Sequence, residues 1–528
     1  MSTILEKKLR QLSENNEPVV FCGGKKGLEK ESLRVNEEGS LSLKRHPSSL
    51  GSALKNKYIT TDFSEALLEF VTPAYENSWE VISMLNDIHQ FTYNNINDEI
   101  LWIASMPCRL DGDKSIPIAD YGSSNIGKMK SIYRSGLGLR YGRNMQAISG
   151  IHFNYSLPEN FWPVYKKIEN NNSAAEDFIS SSYMDMIRNL KRFGWLILYL
   201  FGASPAICKS FLSDNNTSMP SLDKKTLFQP YGTSLRMSDL GYTSSVQSNI
   251  NISLNNLDHY IEDLTTAMKT PEPSYQNFGF KKNGKYQQLS LNKLQIENEY
   301  YSTVRPKRVA NSGERPTSAL KRGGIEYIEI RSLDVNVYDP VGINQDTMRF
   351  IESFMIFCLL EESPLIDEVE NREIMKNYSD TSSHGRKPGF NLSRDEKTVS
   401  LKSWATEIID GVLKIASLID KGAQCSGYRS SVKKQSRLVD DPDQTPSAMM
   451  LGELSEKKMT FSDYILDLSK QNKEYFKGLM DLSSSKNALF EKEAKDSIKK
   501  QSDIESEERE PFSAVSYTHL TLPTILRV

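Results

Sequence analysis

The sequence predicts an α+β protein in which short strands come first and helices follow. Two observations carry this. Before residue 340, short segments alternate apolar and polar residues as half-buried strands do, most clearly Ser149 to Leu157. After residue 340 the chain turns mainly helical, in Asp346 to Glu362, Leu401 to Gly422 and Lys473 to Ala494. Runs of strands followed by runs of helices are the pattern of an α+β fold.

The elements follow in chain order. Residues 1–17 read as a short amphipathic helix, and Val19 to Val35 contains the first strand. Tyr58 to Pro73 is a polar turn, Thr60-Thr61-Asp62-Phe63, leading into the apolar run around Glu69. Asn77 to Asn95 places Val81, Met84, Leu85 and Ile88 at helical spacing. In Ser149 to Leu157 one face is Ile151, Phe153, Tyr155 and Leu157, and the other is His152, Asn154 and Ser156, so the polar face can line a site. Asp177 to Gly202 is a long helix or helix pair, whose apolar part, Phe193 to Cys208, reads as a buried helix. Leu289 to Val304 and Gly323 to Asp334 read as strand-rich. Asn371 to Ser400 and Gly427 to Pro446 read as polar loops, and Ile504 to Glu510 as a charged helical tail.

Carboxylates within apolar strand sequences are the strongest chemical signal. Glu29 and Glu31 lie two apart in Gly-Leu-Glu-Lys-Glu-Ser-Leu, so they share a face of a strand. Glu329 and Arg331 share a face by the same rule. Glu69, between Leu68 and Phe70, is costly there unless paired or metal-bound. Each has a plainer reading: a solvated edge strand for Glu-x-Glu, a buried ion pair for Glu69, a satisfied core histidine for His152. Four carboxylates and a histidine on short apolar strands together point to a cation site built from oxygen ligands. Arginine beside carboxylates suits Mg²⁺ and phosphate together. Basic groups available for phosphate are Arg134, Arg305, Lys307, Arg308, Arg322 and Arg331, although Arg305-Pro-Lys-Arg308 reads as a solvated loop.

Other motifs fail on inspection. Gly136 to Gly142 has its third glycine one position late for a dinucleotide fingerprint, and Gly122 to Met129 lacks the hydroxyl that a phosphate loop uses for Mg²⁺. The chain has 528 residues, room for two to four domains or one large enzyme body. Lys and Arg number 65 against 68 Asp and Glu, and this near balance argues against nucleic acid as a partner. Five scattered cysteines without a CxxC pair suit a reducing cytoplasm. The longest apolar run is shorter than the roughly 20 residues of a membrane span and is broken by Pro205, so no membrane association is expected.

The segments Gly27 to Val35, Ile59 to Phe70, Ile148 to Asn154, Ser234 to Tyr242, Leu294 to Tyr301, Arg305 to Arg308 and Arg322 to Asp334 closely resemble bacterial glutamate–cysteine ligase of the gamma-proteobacterial type. The likeness is specific from about Gly27 to Asp339 and looser to about Phe512. It implies a glutamine-synthetase-like core, with a mostly antiparallel sheet curled around the active site and helices behind it. It implies one catalytic domain over residues 1–515, with the site strands in 1–340 and a mainly helical part in 341–515. It implies ATP-dependent joining of L-glutamate to L-cysteine through a γ-glutamyl phosphate, the first step of glutathione synthesis, by a cytoplasmic monomer subject to glutathione feedback. By the resemblance Glu29, Glu31, Glu69, His152 and Glu329 are ligands of Mg²⁺, or of Mn²⁺ in its place, and Arg331 and Arg134 face the transferred phosphate. Phe63, Tyr133, Leu137, Gln146, Tyr242 and Tyr301 form the cysteine pocket, and Arg236 holds the cysteine carboxylate. Rival expectations are a ligase of the same fold with another amine acceptor, and an inactive binding protein. Residues 516–528 change character abruptly and are set apart as a non-native tail.

Overall fold

Seven strands form one antiparallel sheet: β1 (Lys25–Val35), β2 (Ile59–Thr61), β3 (Leu67–Val71), β4 (Ile100–Leu101), β5 (Ile151–Ser156), β6 (Val304–Lys307) and β7 (Tyr327–Leu333). The computed structural model describes residues 3–14, 18–212, 217–241, 247, 250–311, 314–507 and 512. The strand order is β6-β7-β5-β1-β3-β2, with β4 pairing the far end of β1. The mixed helix-and-antiparallel-sheet class expected from the sequence is therefore present, and the sheet is open.

Register sorts the side chains. Glu29 pairs with His152 of β5, and Glu31 with Glu69 of β3. Glu329 pairs with Asn154 on one side and Arg305 on the other. Because residues two apart share a face, all these polar groups fall on one side of the sheet. The other side carries Leu28, Leu68, Phe70, Phe153, Tyr155, Ile328 and Ile330, all buried in the main core. Packed with them are residues of the helices Ser78–Asn95, Ala175–Phe193, Gln345–Leu360 and Leu401–Ala423. Each fully buried aliphatic or aromatic side chain there contributes about 1.5–3 kcal/mol relative to exposure. In the pairing of β5 with β7 the register shifts between Ile330 and Leu333. This irregularity contains Arg331, and such shifts commonly re-aim a side chain beside a site.

Several expectations need correction. Between Leu289 and Val304 a strand begins only at Val304, because side chains and not a ladder hold this stretch: Glu299 accepts from the Gln295 amide at 2.6 Å and Gln295 from the Leu289 amide at 2.9 Å. Arg305 to Lys307 is strand, not solvated loop, and Arg305 is buried. The polar stretch from residue 371 to 400 is a helix, Glu368–His384, and a hairpin, Asn391–Arg394 with Lys397–Ser400. Ile374 and Tyr378, four apart, supply a buried stripe easily lost among polar neighbours, and the Asp367 side chain caps the helix at the Glu370 amide. Gly427–Asp440 is likewise a helix, burying Val432, Gln435 and Val439. The helix expected over 473–494 is two, Phe461–Gly478 and Ser484–Glu507. The apolar run from residue 193 to 208 ends not as helix but in a short strand, Ala206–Cys208, after Pro205. Among the described residues no helix is long and apolar enough to cross a membrane.

Candidate active site

The polar face of the sheet gathers residues separated by up to three hundred positions. His152 Nδ1 lies 3.1 Å from Glu29 Oε2 and 3.8 Å from Glu329 Oε1. Asn154 donates to Glu29 Oε1 at 3.0 Å. Arg331 Nη1 lies 3.3 Å from Glu329 Oε2, and Lys307 Nζ 3.4 Å from Glu329 Oε1. One ligand atom each from Glu29, His152 and Glu329 fall within 4.8 Å of one another, a spacing that can hold a metal ion. Glu329 is wholly buried, yet its Oε1 accepts no hydrogen bond among the described residues. A buried carboxylate oxygen with no hydrogen bond, facing only the Lys307 ammonium at 3.4 Å, is costly, and a metal cation would satisfy it. The donor set, carboxylates with one imidazole, fits a divalent cation.

Glu31 and Glu69 stand outside that trio, facing each other across β1 and β3. Glu31 Oε2 accepts from the Gly150 amide at 2.6 Å. Burial, reinforced by the nearby Asp62, pushes the Glu31 carboxyl up to about 8. Burial together with the charges of Glu29, Asp62 and Glu31 pushes Glu69 well above the usual carboxylate range. Glu329 goes the other way: burial would raise it, but Lys307 and Arg331 outweigh burial and hold it well below that range. Burial and Arg331 depress the His152 imidazole, so it is neutral and free to ligate.

The two arginines assigned to phosphate occupy opposite ends. Arg331 belongs to the Glu29–His152–Glu329 cluster. Arg134 donates to the Asp62 carbonyl, stacks on Tyr121 at 4.6 Å, and its charge reaches Glu69. Arg236 is 2 % exposed and donates to the Arg331 carbonyl at 2.8 Å. Beneath it the buried Asp334 lies 3.7 Å from Arg236 Nη1 and accepts from Ser204, Ser234 and the Ala203 amide.

A cavity of about 500 Å³ opens beside His152, Arg236, Tyr301 and Arg331 and reaches Lys191 and Tyr378. Among the described residues of the expected acceptor pocket, Tyr301 and Arg236 border it. Tyr133 and the half-buried Leu137 lie on the helix Asn125–Tyr141, and Gln146 is buried in the following turn. Phe63 is fully buried against that helix at Gly138. Tyr242 lies outside the described residues, as do residues 516–528. Sequence reasoning gave no role to Asp62 or Asp334. The position of Asp62 in the polar turn before Phe63 was a signal for the first. The second offered only its place at the end of the strand that carries Arg331.

Comparison with known proteins bears directly on this geometry. A solved structure of glutamate–cysteine ligase from Francisella tularensis, in complex with AMP, superposes with a TM-score of 0.89 at 34% identity, covering 94% of this chain and 98% of that one. The fold is thus that of an amino-acid ligase. Curated glutamate–cysteine ligases from Pseudomonas entomophila and Alcanivorax borkumensis are 44% and 43% identical, each over 96% of this chain and at least 95% of the relative. The family model for glutamate-cysteine ligase matches residues 9–381. The chain belongs to the glutamate–cysteine ligase family.

Proposed function

We propose that the protein joins the γ-carboxylate of L-glutamate to the amine of L-cysteine at the expense of ATP, through a γ-glutamyl phosphate, as the first step of glutathione synthesis. The observation that carries this is the shared face of Glu29, Glu31, Glu69, His152, Glu329 and Arg331, in a chain of this family. Transfer of a phosphoryl group to a carboxylate crowds several negative charges, so it needs cations at fixed positions. Glu29, His152 and Glu329, with Glu31 and Glu69 beside them, would hold Mg²⁺ or Mn²⁺. When bound, the metal would neutralise phosphate charge. The AMP held by the Francisella relative supports a nucleotide at the equivalent place here.

The chain's own groups do the rest. Arg331, fixed by Glu329, presents its guanidinium to the oxygens of the transferred phosphoryl group. Arg134 offers a second positive charge at the Glu69 end. Arg236 receives the carboxylate of the incoming amino acid, and its amine then attacks the γ-carbonyl carbon and expels phosphate. Tyr301 forms part of the wall around that acceptor. Tyr133, Leu137, Gln146 and Phe63 complete it from the side of the Asn125–Tyr141 helix, with Tyr242 assigned there by resemblance. The two-part domain plan, the cytoplasmic monomer and feedback by glutathione belong to the same reading.

The experiment is phosphate release from Mg²⁺-ATP and L-glutamate, with L-cysteine, L-serine, L-alanine or ammonia as acceptor. Fast release with L-cysteine is expected. A comparable rate with another amine would overturn the named acceptor, and no release with any acceptor would overturn the ligase reading.

A further inference from the structure

Behind the acceptor wall lies a buried polar network that the mechanism above does not use. Its centre is Glu299, 2 % exposed, in the turn that leads to Tyr301. Arg140 Nη1 donates to Glu299 Oε1 at 2.8 Å, and both side chains are completely buried. The Tyr141 hydroxyl donates to the same oxygen at 2.7 Å. Glu299 Oε2 accepts from the Gln295 amide at 2.6 Å. The Gln247 amide nitrogen reaches both the Tyr141 hydroxyl, at 3.0 Å, and the Glu299 carbonyl, at 2.8 Å. Gln247 Oε1 accepts from the Tyr301 backbone amide at 2.7 Å. Arg140 is further held by the Gln288 side chain, the Ser290 carbonyl and the Tyr275 ring.

Arg140 and Tyr141 bond the helix Asn125–Tyr141 to Glu299, Gln288 and Ser290 of the 288–301 segment, and Gln247 bonds to both. Tyr133 and Leu137 project from the helix, and Tyr301 ends the turn. Gln295 also donates to the Tyr133 carbonyl, and a Cβ on Gly136 would fall 2.2 Å from Gln295 Oε1, so the two segments meet at a distance only glycine allows. In the proposed acceptor pocket Tyr133 and Leu137 stand on one of these segments and Tyr301 on the other.

We propose that Glu299 is a positioning residue for acceptor selectivity: through Arg140, Tyr141 and Gln247 it sets the gap between Tyr133 and Leu137 on the helix and Tyr301 on the turn. This deepens the ligase reading and rests on it. A carboxylate is required because Glu299 receives three donors and has none of its own to offer. A glutamine there would turn an N–H toward the Gln295 N–H. Two nitrogen donors would then oppose each other, and Arg140 would lose its counter-charge.

The test compares Glu299→Gln and Tyr141→Phe with the parent enzyme by steady-state kinetics in each substrate, using L-cysteine, L-serine and L-alanine as acceptors. Glu299→Gln breaks a buried ion pair and so risks the fold. Tyr141→Phe leaves intact both the Arg140–Glu299 pair and the Gln247 bond to the Glu299 carbonyl, and removes only the hydroxyl between the Glu299 carboxylate and Gln247. For Tyr141→Phe we expect KM for L-cysteine to rise about fivefold to tenfold, a part of what one hydrogen bond to a charged group is worth, since the hydroxyl acts on the pocket only through Gln247. KM for ATP and for glutamate, and kcat, should stay within about twofold, and the preference for L-cysteine over L-alanine should shrink. Glu299→Gln, where folded, should show the same split more strongly, and Glu299→Asp should recover part of it. Equal changes in every KM, or a lowered kcat with an unchanged KM for L-cysteine, would overturn the positioning role. A parent enzyme inactive with every acceptor would instead overturn the ligase reading, so the two failures are distinct.

Discussion

Gly150→Ala tests the proposed roles of Arg236 at the acceptor and of Glu31 beside the metal, since it touches both. Gly150 precedes β5, and its amide donates to Glu31 Oε2 at 2.6 Å while its carbonyl accepts from the Glu31 amide at 3.0 Å. A Cβ at this position would lie 2.1 Å from Arg236 Nη2 and 2.5 Å from its Cζ. Unbonded carbon and nitrogen atoms rest roughly 3.5 Å apart, so the overlap exceeds about 1 Å and something must move. Arg236 has little freedom, being 2 % exposed and bonded to the Arg331 carbonyl. Overpacking of this kind costs about 1–3 kcal/mol of stability. In its proposed role Arg236 makes a charge-assisted bond to the acceptor carboxylate, and displacing it would cost about 1.5–3 kcal/mol, which corresponds to roughly 10- to 150-fold. The expected outcome is a folded enzyme whose KM for L-cysteine rises by about that factor. If the backbone yields instead, the Gly150–Glu31 bond lengthens and kcat falls. The assay is phosphate release against acceptor concentration, with circular dichroism to confirm folding. A folded variant with the parent KM for L-cysteine and the parent kcat would refute the placement of Arg236 against the acceptor.

Two further outcomes follow from the site and its surroundings. Glu329→Gln removes the charge that Lys307 and Arg331 face; it should lower kcat by about 10²–10³ and weaken Mg²⁺ binding measured by calorimetry, while far-ultraviolet dichroism stays that of the parent. Lys191 is pushed down to about 8 by burial, so between pH 8 and 10.5 the unfolded chain holds a proton that the folded one has lost. Stability then rises with pH across that window at up to about 1.4 kcal/mol per pH unit from this group. In urea titrations at several pH values, Lys191→Met should show a shallower rise than the parent; an equal slope would refute the assignment.

The polar face of the sheet was legible for a mechanical reason. Glu29 with Glu31, and Glu329 with Arg331, each obey the two-residue alternation of a strand, and the apolar residues between them mark the opposite face as core. His152 was legible in the same way, from the clean alternation of Ile151 to Leu157. Nothing in a one-dimensional pattern states that Glu31 will face Glu69, or that Asp62 will raise both, because strand pairing joins segments by loops whose closure the sequence does not display. The stretch around Glu299 failed as a strand because its backbone donors go to side chains. Gly427–Asp440 failed as a loop for a different reason. Only two aliphatic residues, Val432 and Val439, are buried in it, and Gln435 fills the turn between them with a polar side chain.

The two faces of β1 show why a sheet suits this site. Front and back alternate in charge: Glu29 and Glu31 lie on the polar face with His152 and Glu69, while Lys26 and Lys30 enter the core side. Lys26 is bonded to both oxygens of the buried Glu352 at 2.8 Å, and Tyr428 donates to that same carboxylate. Lys30 lies 2.7 Å from His89 Nε2, and burial pushes it down to about 7. A slip of one residue would turn Glu29 and Glu31 into the core and bring both lysines to the front. Glu352 would then lose its partner, and two carboxylates would be buried without any. The core side therefore enforces the register that sets Glu31 opposite Glu69, an arrangement in which burial and the neighbouring carboxylates push Glu69 well above the usual carboxylate range. Rigidity behind the sheet is what permits an unfavourable cluster of charge in front of it.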